Sequence, residues 1–229
     1  MRRESALVAG TMPEQLTVYK GSTIRQYVDS RKWFFVAKRM IDILVSVLVI
    51  VFLLSWLIPL LALLIKLNSK GPVFFLQKRV GRNGKTFTCI KLRTMPSTRI
   101  RHLQQNSQGP SMNRLEKFLR QSNLDELPQF INVLTGSMSI VGPRPHMHAD
   151  CHNFSQFIPQ YKFRSLVPPG ITGLAQVKGY HGTVHTRQDA LHRYEWDAYY
   201  VRHASLWLDF RIMITTVFQR IHFLIASGK

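Results

Sequence analysis

Apolar residues run without an ionisable side chain from Ile43 to Ile65, 23 positions in succession, about the length of helix that crosses a bilayer. Before this run, from Gln26 to Met40, the residues Tyr27, Trp33, Phe34, Phe35 and Val36 are mixed with bases, as in a helix at headgroup level or a simple basic flank. After Asn68-Ser69-Lys70-Gly71-Pro72 come two β-forming stretches, Val73-Phe74-Phe75-Leu76 and Thr86-Phe87-Thr88-Cys89-Ile90, around Gly81-Arg82-Asn83-Gly84. That pattern predicts a hairpin. Residues 97–113 read as a polar loop, and the spacing of Leu115, Phe118 and Leu119 predicts a helix over 114–120. Asn123 stands three residues before Glu126 with the spacing of a capping box, which starts a second helix there. The stretch from Leu206 to Ile225 is apolar and aromatic, interrupted by Asp209, Arg211, Gln219, Arg220 and His222. It predicts an amphipathic helix that packs on the core or lies on the membrane. The expected fold class is α+β, mostly helical, with a small β-hairpin and interfacial amphipathic helices.

The segmentation follows from the same pattern. Residues 1–32 read as a polar, loosely structured extension, 33–70 as the membrane-inserted helix, 71–203 as a catalytic domain and 204–229 as the C-terminal amphipathic helix. Some forty residues precede the apolar run and no small-residue cleavage pattern follows it, so a signal peptide fits poorly. Arg31, Lys32, Lys38 and Arg39 lie on one side and Lys66, Lys70, Lys78, Arg79 and Arg82 on the other. Flanks this symmetric suit a segment that enters and returns on one face, although a spanning helix with a tolerated proline fits too. Pro59 removes a helix hydrogen bond and Ser55, one turn earlier, offers a hydroxyl to a freed carbonyl, so these two residues mark the candidate break.

Composition narrows the chemistry. The 229 residues carry 31 Lys and Arg against 12 Asp and Glu, a formal charge of +19. Such an excess requires an anionic partner: nucleic acid, an anionic membrane or a phosphorylated substrate. Cys89 and Cys151 are far apart and lack metal-finger spacing, which suits a reducing compartment. His146, His148, Cys151 and His152 cluster in sequence, but their spacing matches no usual zinc set.

Against this basic background the adjacent acids of Leu124-Asp125-Glu126-Leu127-Pro128-Gln129 stand out. Neighbouring carboxylates repel, and keeping both ionised takes a cation or strong donors, as in metal-assisted phosphoryl transfer. Acids are also common in first helical turns for stability alone. Gly142-Pro143-Arg144-Pro145 fixes a bidentate anion binder between two prolines, and Pro168-Pro169-Gly170-Ile171-Thr172-Gly173 is a second rigid turn. Lys91 and Arg93 would share one face of a strand, where they could hold a phosphate or simply line a solvated edge.

Taken in order, these motifs, together with Asn132-Val133-Leu134, Ala175-Gln176-Val177 and Asp197-Ala198-Tyr199-Tyr200-Val201, resemble the bacterial sugar transferase family, the monotopic phosphoglycosyl transferases, from about residue 33 to 220. The resemblance implies transfer of a phosphosugar from a UDP-sugar to undecaprenyl phosphate, release of UMP and a requirement for Mg²⁺. It makes Asp125 the nucleophile of a covalent phosphosugar intermediate and Glu126 its assistant, through the metal or by proton handling. Asp125 and Glu126 are thereby the candidate metal ligands. Lys91, Arg93, Arg120 and Arg144 would hold phosphates, with Asp197 and Gln176 in support. A re-entrant helix on the cytoplasmic face of the bacterial inner membrane is also implied. Expected partners are the UDP-sugar, undecaprenyl phosphate and membrane lipids, with a homodimer left open and no nucleic acid.

The chain departs from the family pattern at several positions. Ser55 and Pro59 are separated where many members have Ser-Pro, Pro168 replaces a base, Ser137 stands where an acid or Gly is frequent, and Ser111 and Asn113 occupy a stretch that usually carries an Arg and a Thr. Pro145-His146-Met147 and Gly179-Tyr180-His181-Gly182 look most like members that transfer glucose-1-phosphate or a related hexose phosphate. The competing readings are a family member without activity and a non-enzymatic basic membrane protein that binds anionic lipid or nucleic acid. No recognised nucleic-acid module supports the latter.

Overall fold

The computed structural model describes residues 21–94, 113–182, 184 and 186–227. Residues 1–20 of the expected extension, Met95, the polar loop from 97 to 112 and its Ser111 lie outside the described residues. Residues 21–25 of that extension, together with the start of the Gln26–Met40 stretch read as a helix or basic flank, form helix α1 (Gly21–Ser30). Ile24 and Val28, four residues apart on one face, are its buried anchors.

Helix α2 (Lys32–Val49), a π-helical turn (Ile50–Leu54) and α3 (Ser55–Asn68) form one run of 37 residues. Only 17% of its most apolar stretch is buried, and its length and composition suit a bilayer. The break in helical register falls at Ile50–Leu54, ahead of the expected Pro59, which sits inside α3. The Ser55 N–H reaches back five residues to the Ile50 carbonyl. This skips Val51, and the Ser55 hydroxyl donates to that carbonyl at 2.6 Å. Ser55 therefore satisfies a carbonyl freed by the π turn rather than by the proline.

Both ends of this helix dock on the same folded unit. Lys38, Asp42 and Ser46 are buried at i, i+4 spacing; Lys38 pairs with Asp209 at 2.6 Å, and Asp42 accepts from the Ile140 N–H at 3.0 Å. At the other end Leu61 and Ile65 pack with Leu92 and Leu119.

The hairpin forms as expected: β1 (Phe74–Val80) pairs antiparallel with β2 (Thr86–Leu92). Its turn places Asn83 and Gly84 at positive φ, 53° and 77°, where these two residue types are tolerated. Helix α4 (Arg114–Ser122) carries the capping box, built on Asn113 and Glu116. Asn123 is left-handed and ends α4, so the cap expected there is absent and the acid pair lies in a 3₁₀ turn (Leu124–Glu126). The spacing was right for a cap, but asparagine's tolerance of the left-handed region serves a C-terminus here. Helix α5 (Gln129–Leu134) follows.

A second sheet had no period-2 signal. Strands β3 (Ser139–Val141) and β4 (Gly170–Thr172) are parallel and three residues each. They bring the two rigid turns together: Gly142 N–H donates to the Thr172 carbonyl at 2.9 Å and Gly170 N–H to the Pro143 carbonyl at 3.0 Å. A Cβ on Gly170 would lie 2.1 Å from the Gly142 nitrogen, and one on Gly173 would lie 2.2 Å from the Gly142 oxygen. The remaining elements are α6 (His148–Ser155), a 3₁₀ segment (Tyr161–Leu166), α7 (Leu174–Val177), α8 (Arg187–His203) and α9 (Leu206–Ser227). Val133, Met138, Val141, Phe163, Tyr200 and Ile212 are central to the core they enclose.

Much of the basic excess is structural. Arg31 donates to the Ala204 carbonyl after α8, Arg39 to the Val133 and Leu134 carbonyls ending α5, and Arg93 to the Ser69 and Lys70 carbonyls ending α3. Each cation donates to backbone carbonyls at or just past the C-terminus of a helix.

The backbone crossing at the glycines generates a test. Gly170→Ala forces a Cβ into backbone that no side-chain rotation can clear, and should cost about 3 kcal/mol or more. The expected reading is a large drop in melting temperature in detergent.

Candidate active site

Glu126 is the hub of the site. Lys91 Nζ lies 2.6 Å from Glu126 Oε1, and Arg144 forks onto both carboxylate oxygens at 2.5 and 3.0 Å. Lys91 comes from β2, Arg144 from the Gly142–Pro145 turn and Glu126 from the 3₁₀ turn, so the contact ties three separate parts of the chain. The Asn132 amide sets one of these distances, accepting from the Ile90 N–H and donating to the Thr88 carbonyl at the edge of β2. Strand β1 holds the turn from its other side: Arg79 donates to the Pro145 carbonyl, and the Val80 N–H donates to the His146 carbonyl.

The two acids differ electrostatically. Burial raises the Glu126 carboxyl, but the charges and hydrogen bonds of Arg144 and Lys91 outweigh it and hold the group well below the usual range. Asp125 is 7% exposed, and among the described residues its carboxylate has no hydrogen-bond or ion-pair partner. Burial first and the Glu126 charge second push it up to about 6, against the pull of Lys91, Arg144 and Arg120. The site therefore holds one neutralised carboxylate and one uncommitted carboxylate.

A family model described as bacterial sugar transferase matches residues 33–222. The chain belongs to the bacterial sugar transferase family. It is 43% identical over 184 residues to a UDP-glucose:undecaprenyl-phosphate glucose-1-phosphate transferase of Escherichia coli, covering 80% of this chain and 39% of that protein. It is 39% identical over 219 residues to a protein of the same name from Caulobacter vibrioides, covering 91% and 76% respectively. An exopolysaccharide production protein PSS of Rhizobium leguminosarum is 40% identical over 190 residues, 80% of this chain and 94% of that one.

Within this chain the structure gathers some of the residues expected at the site and separates others. Lys91, Arg144 and Glu126 are in contact, and Arg120 acts on Asp125 through its charge. Arg93 is elsewhere. Its two terminal nitrogens donate to the Ser69 and Lys70 carbonyls just after α3 and to the Ser69 hydroxyl, so the structure holds Arg93 on this backbone rather than beside Lys91. Asp197 is fully buried against Arg164, a residue the sequence pattern did not single out. Arg164 also donates to the Arg144 backbone carbonyl at 2.6 Å, so Asp197 organises Arg144 through Arg164. Gln176 donates to the Ile171 carbonyl at 3.0 Å and buttresses the second rigid turn.

His146 is buried, bonded through Nδ1 to the Tyr161 hydroxyl. Burial and the charges of Arg164, Arg193, Arg144 and Arg79 keep its pKa well below the ordinary value, so it is neutral. A cleft of about 720 Å³ beyond the Gly142–Pro145 turn is lined by Arg144 and Arg164 but by neither acid, and the uncommitted carboxylate locates the chemistry better than that volume does. Arg220, from α9, was noted in sequence only as an interruption of an apolar stretch, yet it acts electrostatically on Glu126 and Arg144. Its signal was the interruption itself.

Because the Asp125 carboxyl is raised in the folded state, folding takes up protons here, and its unfavourable contribution grows between about pH 4 and pH 6 and is complete above that. In chelator-treated protein Asp125→Asn should stabilise by roughly 2–3 kcal/mol near about pH 8 and by under ~1 kcal/mol near about pH 4. Melting temperatures of the two proteins at both pH values check the sign.

Proposed function

We propose that this chain transfers a sugar-1-phosphate, of glucose or a related hexose, from a UDP-sugar to undecaprenyl phosphate, releasing UMP and starting a surface polysaccharide or glycan. The observation that carries the reading is the uncommitted Asp125 carboxylate beside a Glu126 already neutralised by Lys91 and Arg144. The names of the relatives from Escherichia coli and Caulobacter vibrioides support the same donor and acceptor.

In this mechanism an Asp125 oxygen attacks the phosphorus that bears the sugar. The bond from that phosphorus to the bridging oxygen breaks, and UMP leaves with the oxygen and its electron pair. The product is an acyl phosphate on Asp125. An oxygen of the polyprenyl phosphate then attacks the same phosphorus, the carboxylate leaves, and a polyprenyl diphosphate sugar results. Both nucleophiles are anions, so neither step needs a general base. Glu126, held ionised by its two cations, is unsuited to carrying a proton and serves instead to fix Lys91 and Arg144 at the site.

The donor set suits a divalent cation carried in by the substrate. Mg²⁺ is usually held by one or two carboxylates together with substrate phosphates, and Asp125 with the remaining lone pair of Glu126 supplies that many oxygens. When bound, the ion neutralises charge on the diphosphate and the leaving UMP. Lys91, Arg120 and Arg144 orient the phosphates around Asp125.

We also infer that the helix over 32–68 enters and leaves the cytoplasmic leaflet of the inner membrane on one side. A straight helix of that length would measure about 55 Å, well beyond a hydrocarbon core of about 30 Å. The docking of both ends on one unit, with the π turn between them, supports this reading.

Two experiments test these proposals. Purified protein in detergent with UDP-glucose, Mg²⁺ and undecaprenyl phosphate should release UMP, with chelation or Asp125→Asn lowering the rate by about a thousandfold or more. Undiminished release by Asp125→Asn would sink the nucleophile assignment. For topology, single cysteines at Ser30 and Lys78 in a background lacking Cys151 should both resist an impermeant thiol reagent in intact cells. Labelling at one site alone would mean a spanning helix.

A further inference from the structure

Helix α9 presents two different faces. Asp209 and Ile212 are buried against the core, the Thr216 hydroxyl lies 2.7 Å from the Thr172 hydroxyl, and Gln219 donates to the Val177 carbonyl at 2.9 Å. These contacts fix the rotation of the helix beside the second rigid turn. Trp207, Phe210, Ile214, Phe218, Ile221 and Ile225 form an exposed apolar stripe on the other face. Arg220 lies between the two. It is half-buried, and among the described residues it has neither a hydrogen bond nor an ion pair.

Its electrostatic neighbours are Glu126 and Arg144 on the active-site side and His181 beyond Gly179. Glu126 does not need it. Glu126 already takes its bonds from Lys91 and Arg144, so Arg220 is a further cation beyond the two that hold that carboxylate. A planar guanidinium with unspent donors is suited to a phosphate. Its place at the border of an apolar face restricts the source to a phosphate borne on a lipid.

We propose that Arg220 binds the phosphate monoester of the lipid acceptor as it arrives from the membrane side, placing it beside the Glu126–Arg144 pair. Arg220 is thus specific to the acceptor half of the reaction, and the assignment rests on the polyprenyl-phosphate reading above. The headgroup of an anionic phospholipid offers related chemistry, and the test separates the two.

The experiment compares wild type, Arg220→Met and Arg220→Lys in detergent. Three quantities are read: the burst of UMP from UDP-glucose alone, the KM for each substrate, and co-sedimentation with phosphatidylglycerol vesicles. For Arg220→Met the acceptor KM should rise about ten- to a hundredfold, the worth of a charge-assisted hydrogen bond. The donor KM and burst amplitude should stay within about twofold of wild type, with Arg220→Lys intermediate and vesicle binding retained. An unchanged acceptor KM, or donor and acceptor KM rising together, would overturn the assignment. Lost vesicle binding with an unchanged acceptor KM would transfer Arg220 to bulk anionic lipid. Absence of a burst in the wild type would overturn the covalent intermediate, and the acceptor KM would still decide the role of Arg220.

Discussion

The ion-pair cluster on Glu126 is the interaction on which the site depends. Its carboxylate, Lys91 and Arg144 come from a 3₁₀ turn, a hairpin strand and a proline-bounded turn. Any one of these charges buried alone would be costly, and together they satisfy one another. The elements that carry them are therefore committed to a single arrangement. The same contact makes the neighbouring acids unequal: Glu126 takes the nearby donors, whereas Asp125 has no hydrogen-bond or ion-pair partner among the described residues, and burial first and the Glu126 charge second raise its carboxyl.

Backbone geometry and a buried ion pair hold this arrangement in place. Gly142, Gly170 and Gly173 let two proline-bounded turns approach at distances no side chain permits. Asp197 and Arg164, buried together, grip the turn from behind through the Arg144 carbonyl. The long apolar helix belongs to the same framework: Lys38 pairs with Asp209, Arg39 donates to the carbonyls ending α5, and Arg93 holds the segment that follows α3. A formal charge of +19 is thus shared between cations paired with the Glu126 carboxylate and arginines that donate to backbone carbonyls near helix ends.

Elements with a local signal were legible from sequence: the apolar run, the hairpin with its Asn83-Gly84 turn, and the amphipathic C-terminal helix. The misplaced features are those where one local signal has two uses. Asn123 has the spacing of an N-cap but closes α4 in the left-handed region, while Asn113 and Glu116 make the capping box. Ser55 was rightly read as a donor to a freed carbonyl, but the carbonyl is that of Val51, freed by a π turn rather than by Pro59. Strands β3 and β4 are too short for an alternating pattern, and Arg164 and Arg220 gain their roles only from neighbours distant in sequence.

By itself the sequence determined the membrane-seeking helix, the hairpin, the acid pair and the family, because each is written in residues close together in the chain. Only the tertiary structure decided which acid is free, which bases face it and which cap helices. Those properties depend on burial and on charges brought together from distant positions, and no local pattern records them.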